Sequence, residues 1–154
     1  MDALTLTFER PDAADVAALL GRHHALMREG SPEESCHVMD VSELLAADVT
    51  VLAAREDGAL LGVGALKIIA PGSGELKSMH TAQEARGRGV ARALLLELIE
   101  MARRAGVTLL NLETGTAPLF APARALYTAN GFKECPPFGT YTFDPLSVFM
   151  SRSI

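Results

Sequence analysis

The stretch Arg86-Gly87-Arg88-Gly89-Val90-Ala91 opens a helix around which the rest of the chain is organised. Apolar residues follow at spacings of three and four, as in an amphipathic helix that buries one face: Leu94, Leu95, Leu98, Ile99 and Ala102. The free N–H groups and the positive dipole end of a helix start attract anions. Glycines and arginines there predict a phosphate site, although a glycine-rich turn with solubilising arginines fits the local pattern equally well.

Length and composition predict a single globular domain covering residues 1–154. The chain is long enough to bury a core, and its 49% hydrophobic content is that of a folded protein. A net charge of −5 argues against a nucleic-acid binder, which would present a broad basic face. The basic cluster of Arg86, Arg88 and Arg92 therefore suits a small polyanionic ligand better than a duplex.

The sequence also predicts a cytoplasmic protein with no membrane partner and no bound metal. The N-terminus lacks a basic region followed by an apolar core, and no apolar run reaches the roughly 20 residues that span a bilayer. The two cysteines, Cys36 and Cys135, lie far apart without the spacing of metal ligands. We therefore expect free thiols and no metal.

Hydrophobic patterning predicts an α/β fold with the element order β-α-α-β-β-β-α-β-α-β-β. Strands are expected at 4–8, 49–55, 59–69, 75–81, 107–113, 132–135 and 147–150, and helices from 11, at 40–46, at 87–105 and at 123–128. No crossover helix separates the three strands within 49–81, so the sheet cannot be purely parallel. Gly62 and Gly64 inside a strand imply that something packs closely there or that the strand bulges.

Two common phosphate-binding motifs do not fit the glycine-rich stretch. A Walker-type loop needs a lysine after its last glycine, and none follows Gly89. A dinucleotide fingerprint needs a third glycine where Arg92 stands, within a repeated β-α-β pattern that is absent. What remains is a diphosphate ligand held mainly by backbone N–H groups.

Two motifs together resemble the GNAT superfamily of N-acetyltransferases. Arg86-x-x-Gly89-x-Ala91, after a strand containing Met79-His80-Thr81, is similar to its acyl-coenzyme A signature, and Ala125-Leu126-Tyr127-x-x-x-Gly131-Phe132 is similar to its second half. Further stretches resemble the subgroup named after YsnE and indole-acetate acetyltransferase: Leu112-Glu113-Thr114-Gly115, Pro137-Phe138-x-x-Tyr141-x-x-Asp144-Pro145 and Ser147-Val148-Phe149-Met150.

The resemblance implies a mixed, strongly twisted central sheet flanked by helices and splayed between the strands at 75–81 and 107–113. Acetyl-coenzyme A would enter that split. The backbone of Met79, His80 and Thr81 would bind the acetyl carbonyl and the pantetheine arm. The pyrophosphate would lie against the amides of Arg86, Gly87, Arg88, Gly89, Val90 and Ala91. Phe120 stands where many relatives have an asparagine that contacts the pantetheine.

The resemblance also implies direct acetyl transfer to a primary amine of a small molecule. Tyr127 resembles the general acid of the family, and Glu75, eleven positions before Arg86, stands where some members have a general base. Strand alternation puts Glu75, Lys77 and Met79 on one face, so a Glu75–Lys77 salt bridge is an equal alternative. His80 and His37 are further candidate bases.

The acceptor is the open question. His37, Glu113 and Tyr141 are candidate acceptor residues. Glu113 would bind a cationic amine or cap a turn at Thr114-Gly115, and Tyr141 would border the acceptor pocket or pack on the surface. The competing functions are a non-catalytic acyl-coenzyme A binding module and an N-acetyltransferase of proteins or peptides. The resemblance leaves a homodimer open.

Overall fold

The computed structural model describes residues 4–30 and 41–154. Within them, one mixed sheet contains β1 (Thr5–Phe8), β2 (Val49–Glu56), β3 (Ala59–Ala70), β4 (Ser73–Thr81), β5 (Leu109–Gly115), β6 (Lys133–Glu134) and β7 (Ser147–Ser153). The helices are α1 (Ala14–Gly30), α2 (Val41–Leu44), α3 (Val90–Arg104) and α4 (Ala121–Ala129), with 3-10 turns at Gln83–Ala85 and Pro118–Phe120. The predicted element order and mixed α/β class are confirmed.

The sheet has the strand order β1-β2-β3-β4-β5-β7-β6, and its parallel pair is β4 with β5. These two strands pair over four positions, from Ser73 opposite Leu109 to Leu76 opposite Leu112. Beyond Leu76, β4 continues for five residues without pairing to β5. The predicted splay between the two central strands is therefore present.

The two faces of the sheet are covered by different helices. A Cβ atom on Gly62 would lie 2.9 Å from Val90 Cγ1, and one on Gly64 would lie 2.8 Å from Leu98 Cδ1, so both glycines face α3. His80, the cross-strand neighbour of Val63 on the other face, contacts His23 of α1. The glycines thus let α3 approach the sheet closely, as the sequence indicated.

Helix α3 fills the centre of the hydrophobic core with the apolar stripe predicted for it. Its buried residues recur at helical spacing and none of those named here is more than 2% exposed: Leu94, Leu95, Leu98, Ile99 and Ala102. Burying a large aliphatic side chain contributes roughly 1.5–3 kcal/mol. This packing fixes the start of α3, which carries the glycine-rich loop, against β3 and β4.

Several predicted boundaries differ from the structure, among them the start of α1 at Ala14 and the end of β7 at Ser153, and three of the differences have a clear local reason. Helix α3 begins at Val90 because Gly87 and Gly89 have φ angles of 78° and 80°, outside the helical region. Strand β5 runs to Gly115 because it pairs with β7 as far as Ser147, so no turn forms at 114–115. Strand β4 begins at Ser73, which pairs with Ala70 and Leu109.

Candidate active site

The glycine-rich loop ends in a helix start that no side chain caps. Gly89 occupies the N-cap position in the left-handed conformation, and the N–H of Ala93 donates to its carbonyl at 3.0 Å. Helix starts are usually capped by a serine, threonine or aspartate side chain, and the first-turn N–H groups otherwise need another acceptor. The two positive φ angles let the chain pass from β4 into α3 while these N–H groups stay accessible.

A cavity of about 610 Å³ opens in front of this loop. Its wall contains eight of the nine residues predicted to bind the cofactor: Met79, His80, Thr81, Arg86, Gly87, Gly89, Val90 and Ala91. Arg88 is the exception, since its guanidinium forms an ion pair with Glu56. Arg92, which the sequence placed only in a basic cluster, also lines the cavity. The cavity is mainly apolar beyond the loop, where Phe120, Ala123 and Leu126 line it.

A β-bulge changes the direction of side chains in β4 beside this cavity. Ser78 has a φ of 55°, and Ser78 and Met79 together stand opposite the single residue Gly64. A Cβ atom on Gly64 would lie 2.5 Å from Met79 Sδ, so Met79 faces α3. The prediction that Met79 shares a face with Glu75 and Lys77 was wrong, because the bulge interrupts the alternation.

Tyr127 brings the second predicted motif to the same cavity. It is buried on α4, its ring packs edge-on against Phe132 with centroids 5.8 Å apart, and it lines the cavity. Burial raises the pKa of Tyr127, so its hydroxyl stays protonated throughout the neutral range. Among the described residues, none forms a hydrogen bond with this hydroxyl, which leaves it able to donate to a ligand.

A pair of histidines that sequence reasoning missed lies on the α1 side of the cavity. The Nδ1 atoms of His23 and His80 are 3.2 Å apart, so one donates a hydrogen and the other accepts it. Burial is the main cause that lowers the pKa of His23 to about 3 and that of His80 to about 4. Both are therefore neutral at physiological pH. Position 23 continues the buried stripe of Val16, Leu19 and Leu20, and this signal could have drawn attention to it.

Glu75, the predicted base, lies in a buried polar cluster outside the cavity wall. Its Oε2 atom accepts hydrogen bonds from the Tyr141 hydroxyl at 2.7 Å and from Lys77 Nζ at 3.2 Å. The predicted Glu75–Lys77 salt bridge is therefore present. The structure brings Tyr141 to Glu75, although 66 positions separate them.

The other candidate acceptor residues have different outcomes. Glu113 is half-buried on β5, where its Oε2 atom accepts a hydrogen bond from Ser147 Oγ at 2.7 Å. It caps no turn, since β5 continues past it. His37 lies outside the described residues. Across the described ranges, no three histidine, cysteine or acidic side chains form a group that could hold a metal ion.

A protein-family model matches the part of the chain that contains the glycine-rich loop, the splayed strands and the tyrosine on α4. Residues 20–132 match the model of the acetyltransferase (GNAT) family. The chain belongs to the GNAT family. It is 40% identical over 139 residues to the uncharacterized N-acetyltransferase YsnE of Bacillus subtilis, covering 90% of this chain and 92% of that protein. It is also 37% identical over 155 residues, covering all of both chains, to the IAA acetyltransferase of Azospirillum brasilense.

Solved structures agree with this assignment. The crystal structure of a Klebsiella pneumoniae protein proposed to be an acyl-CoA N-acyltransferase aligns with a TM-score of 0.80 and 32% identity, covering 97% of each chain. This GNAT protein is thus an acyltransferase with the family's mixed, splayed sheet. None of the helices in the described ranges has the length and apolar character needed to cross a membrane.

Proposed function

We propose that this GNAT protein transfers acetyl directly from acetyl-coenzyme A to a primary amine of a small molecule. The observation that carries the proposal is one cavity that joins an uncapped, glycine-rich helix start to the buried Tyr127 hydroxyl. An anion site and a proton donor in the wall of one cavity suit a ligand that carries both a phosphate and a reacting sulfur.

The residues of the cavity fit acetyl-coenzyme A. The amides of Gly89, Val90 and Ala91, with Arg86 beside them, suit the pyrophosphate. The unpaired edge of β4 from Met79 to Thr81 offers backbone groups for the pantetheine arm. Next to it, the buried Ser78 hydroxyl has no hydrogen-bond partner among the described residues, and buried polar groups normally have one. When bound, acetyl-coenzyme A would supply the acetyl group as an activated thioester.

The chain then needs to remove one proton from the acceptor nitrogen and to deliver one to the departing sulfur. In this proposal Glu75 takes the nitrogen proton through water, and the Tyr127 hydroxyl donates its proton to sulfur. A new N–C bond forms as the C–S bond breaks, so the products are the N-acetyl amine and free coenzyme A. A backbone N–H of Met79–Thr81 is the proposed donor to the developing oxyanion.

The acceptor side is proposed to lie on the face of the sheet that carries Glu75, Glu113 and Tyr141, with His37 as a further candidate. The aromatic rings of Phe138, Tyr141 and Phe149 line this face, and two carboxylates stand near them. Carboxylates beside aromatic rings suit an amine with an apolar body. The relative named IAA acetyltransferase supports a small acceptor.

The test is thiol release from acetyl-coenzyme A across aromatic monoamines, aliphatic amines, polyamines, amino acids and N-terminal peptides. We expect turnover on at least one small amine, and a fall in kcat of about a hundredfold in Tyr127→Phe and in Glu75→Gln. Phe132→Leu, which removes only the ring packed on Tyr127, controls for loss of packing. Coenzyme binding without turnover on any amine, unchanged by Tyr127→Phe, would indicate a binding module. Turnover on peptides alone would indicate a protein acetyltransferase.

A further inference from the structure

We infer that Lys77 and Tyr141 are positioning residues that hold Glu75 by its Oε2 atom, so that Oε1 is the oxygen that takes the proton of the acceptor. The inference rests on the proposed role of Glu75 as the base. It differs from both earlier expectations for Tyr141, which were that this residue borders the acceptor pocket or packs on the surface.

The direction of each hydrogen bond in the cluster follows from its chemistry. Lys77 Nζ can only donate, and it lies 2.7 Å from the Tyr141 oxygen and 3.2 Å from Glu75 Oε2. The Tyr141 oxygen therefore accepts from Lys77, and its own hydrogen goes to Oε2 at 2.7 Å. Both donors bind the same carboxylate oxygen. Among the described residues, none donates to Oε1, which leaves that atom as the reactive one.

Burial makes this arrangement stiff. The side chains of Glu75 and Lys77 are only 6% and 9% exposed. Bulk water therefore cannot replace either partner, and breaking the ion pair would leave a buried charge without compensation. Burial, and next the Glu75 charge, raise the pKa of Tyr141, which keeps the hydrogen on the phenol oxygen. A carboxylate fixed by two donors on one oxygen presents the other in a single direction.

The Tyr141 ring is itself held in place. Its centroid lies 5.2 Å from that of Phe138 and 5.6 Å from that of Phe149, and these two rings meet edge-on at 5.8 Å. The Tyr141 N–H donates to the Phe138 carbonyl at 3.0 Å, which closes the turn that carries the ring. The segment between β6 and β7 thus delivers a preoriented hydroxyl to β4.

Other charged groups lie near the cluster and would contribute to any pH dependence that is measured for it. Lys67 of β3 is the cross-strand neighbour of Glu75. Glu113 of β5 and Glu43, beside β2 on α2, both act on Tyr141 through their charges. Asn111 stands opposite Glu75 on β5, but its amide donates to Ser73 Oγ and the Gly74 carbonyl. The described donors to Glu75 are therefore Lys77 and Tyr141.

A double-mutant cycle on Glu75 and Tyr141 tests the inference, using the amine that gives the fastest thiol release. We expect Tyr141→Phe to lower kcat about tenfold, the effect of one hydrogen bond to a charged group, with the acceptor KM within about twofold of the wild type. The acid limb of the pH profile of kcat/KM should move to higher pH. In a Glu75→Gln background, Tyr141→Phe should cause no further loss.

Thr7→Val is the matched control. Thr7 Oγ donates to Glu9 Oε2 at 2.6 Å, and Glu9 is also paired with the cation of Arg55, but this cluster lies at the β1 edge of the sheet. Loss of the Thr7–Glu9 hydrogen bond should leave kcat and the pH profile of kcat/KM unchanged. Lys77→Met should lower kcat as Tyr141→Phe does. Lys77→Arg keeps the positive charge, and its kcat should lie between those of Lys77→Met and the wild type.

The outcomes separate the two proposals. Glu75→Gln with wild-type kcat would overturn the base assignment and the positioning inference together. A low kcat in Glu75→Gln with an unchanged kcat in Tyr141→Phe would overturn the positioning inference alone. An equal effect of Tyr141→Phe in both backgrounds, expressed in the acceptor KM, would also overturn it and would assign Tyr141 to acceptor binding.

Discussion

Arg88 Nη2 lies 2.5 Å from Glu56 Oε2, so an arginine of the glycine-rich loop is paired with the last residue of β2. Arg86 and Arg92 instead face the cavity. Arg88 therefore has different surroundings from Arg86, two positions before it, and from Arg92, four positions after it. A count of positive charges in the sequence cannot distinguish them, whereas the structure predicts that they contribute unequally to anion binding.

Arg86→Ala should raise the KM for acetyl-coenzyme A about tenfold, because a charge-assisted contact to phosphate is lost. Arg88→Ala should change this KM less than about threefold, since its exposed ion pair with Glu56 contributes at most about 1 kcal/mol. Steady-state kinetics with varied acetyl-coenzyme A measure both. Equal effects of the two substitutions would contradict the assignment.

The neutral histidine pair should make stability depend on pH. The pKa of His23 is about 3 in the fold and near 6.5 in the unfolded chain, so the unfolded chain binds the proton first as the pH falls. Stability is therefore lost as the pH falls below about 6.5, by about 2 kcal/mol between pH 6.5 and 5 for one such group. Urea unfolding at several pH values should show a smaller loss in His23→Phe.

His24→Gln is the control for this measurement, because it removes a neighbouring histidine of α1 that is not part of the pair. It should retain the wild-type loss of stability on acidification. A His23→Phe variant with the wild-type pH dependence would show that the buried pair does not contribute to it.

Gly115 and Gly21 should respond to alanine in opposite ways. A Cβ atom on Gly115 would lie 2.3 Å from Phe120 Cδ2, so Gly115→Ala must displace a ring of the cavity wall and should cost about 1–3 kcal/mol. Gly21 lies in α1 with no atom within 4 Å of an added Cβ, and Gly21→Ala should add up to about 1 kcal/mol. Thermal unfolding compares them directly, and a stable Gly115→Ala protein would contradict the packing.

Asn111 should stabilise the short stretch over which β4 pairs with β5. Its buried side chain donates to the Gly74 carbonyl at 3.0 Å and to Ser73 Oγ at 3.1 Å. Asn111→Leu removes both bonds and should lower the free energy of unfolding by about 1–3 kcal/mol. Hydrogen exchange at Ser73–Leu76 should accelerate, whereas amides between β2 and β3 should change less. Uniform acceleration across the sheet would argue against a local role.

The sequence predicted those features of the fold that depend on local pattern. The stripe of α3, the glycine-rich loop and the tyrosine of α4 are all periodic or motif-based, and they were located correctly. The bulge at Ser78 was not predicted, because regular alternation was assumed over residues 75–81, although Leu76 and Met79 stand three positions apart and so break that pattern. The Glu75–Tyr141 and His23–His80 contacts were not predicted either, since 66 and 57 positions separate the partners and tertiary folding alone brings them together.

The short pairing of β4 with β5 also determines where the sheet leaves backbone groups unpaired. An ordinary sheet has two exposed edges, and unpaired backbone groups there can template the addition of strands from other chains. Here β4 has a further edge beyond Leu76, but it lies in the middle of the sheet, beneath the walls of the cavity. Its last three residues, Met79–Thr81, line the cavity, so the unpaired part of the strand faces a space that can hold a ligand rather than the outer rim of the sheet.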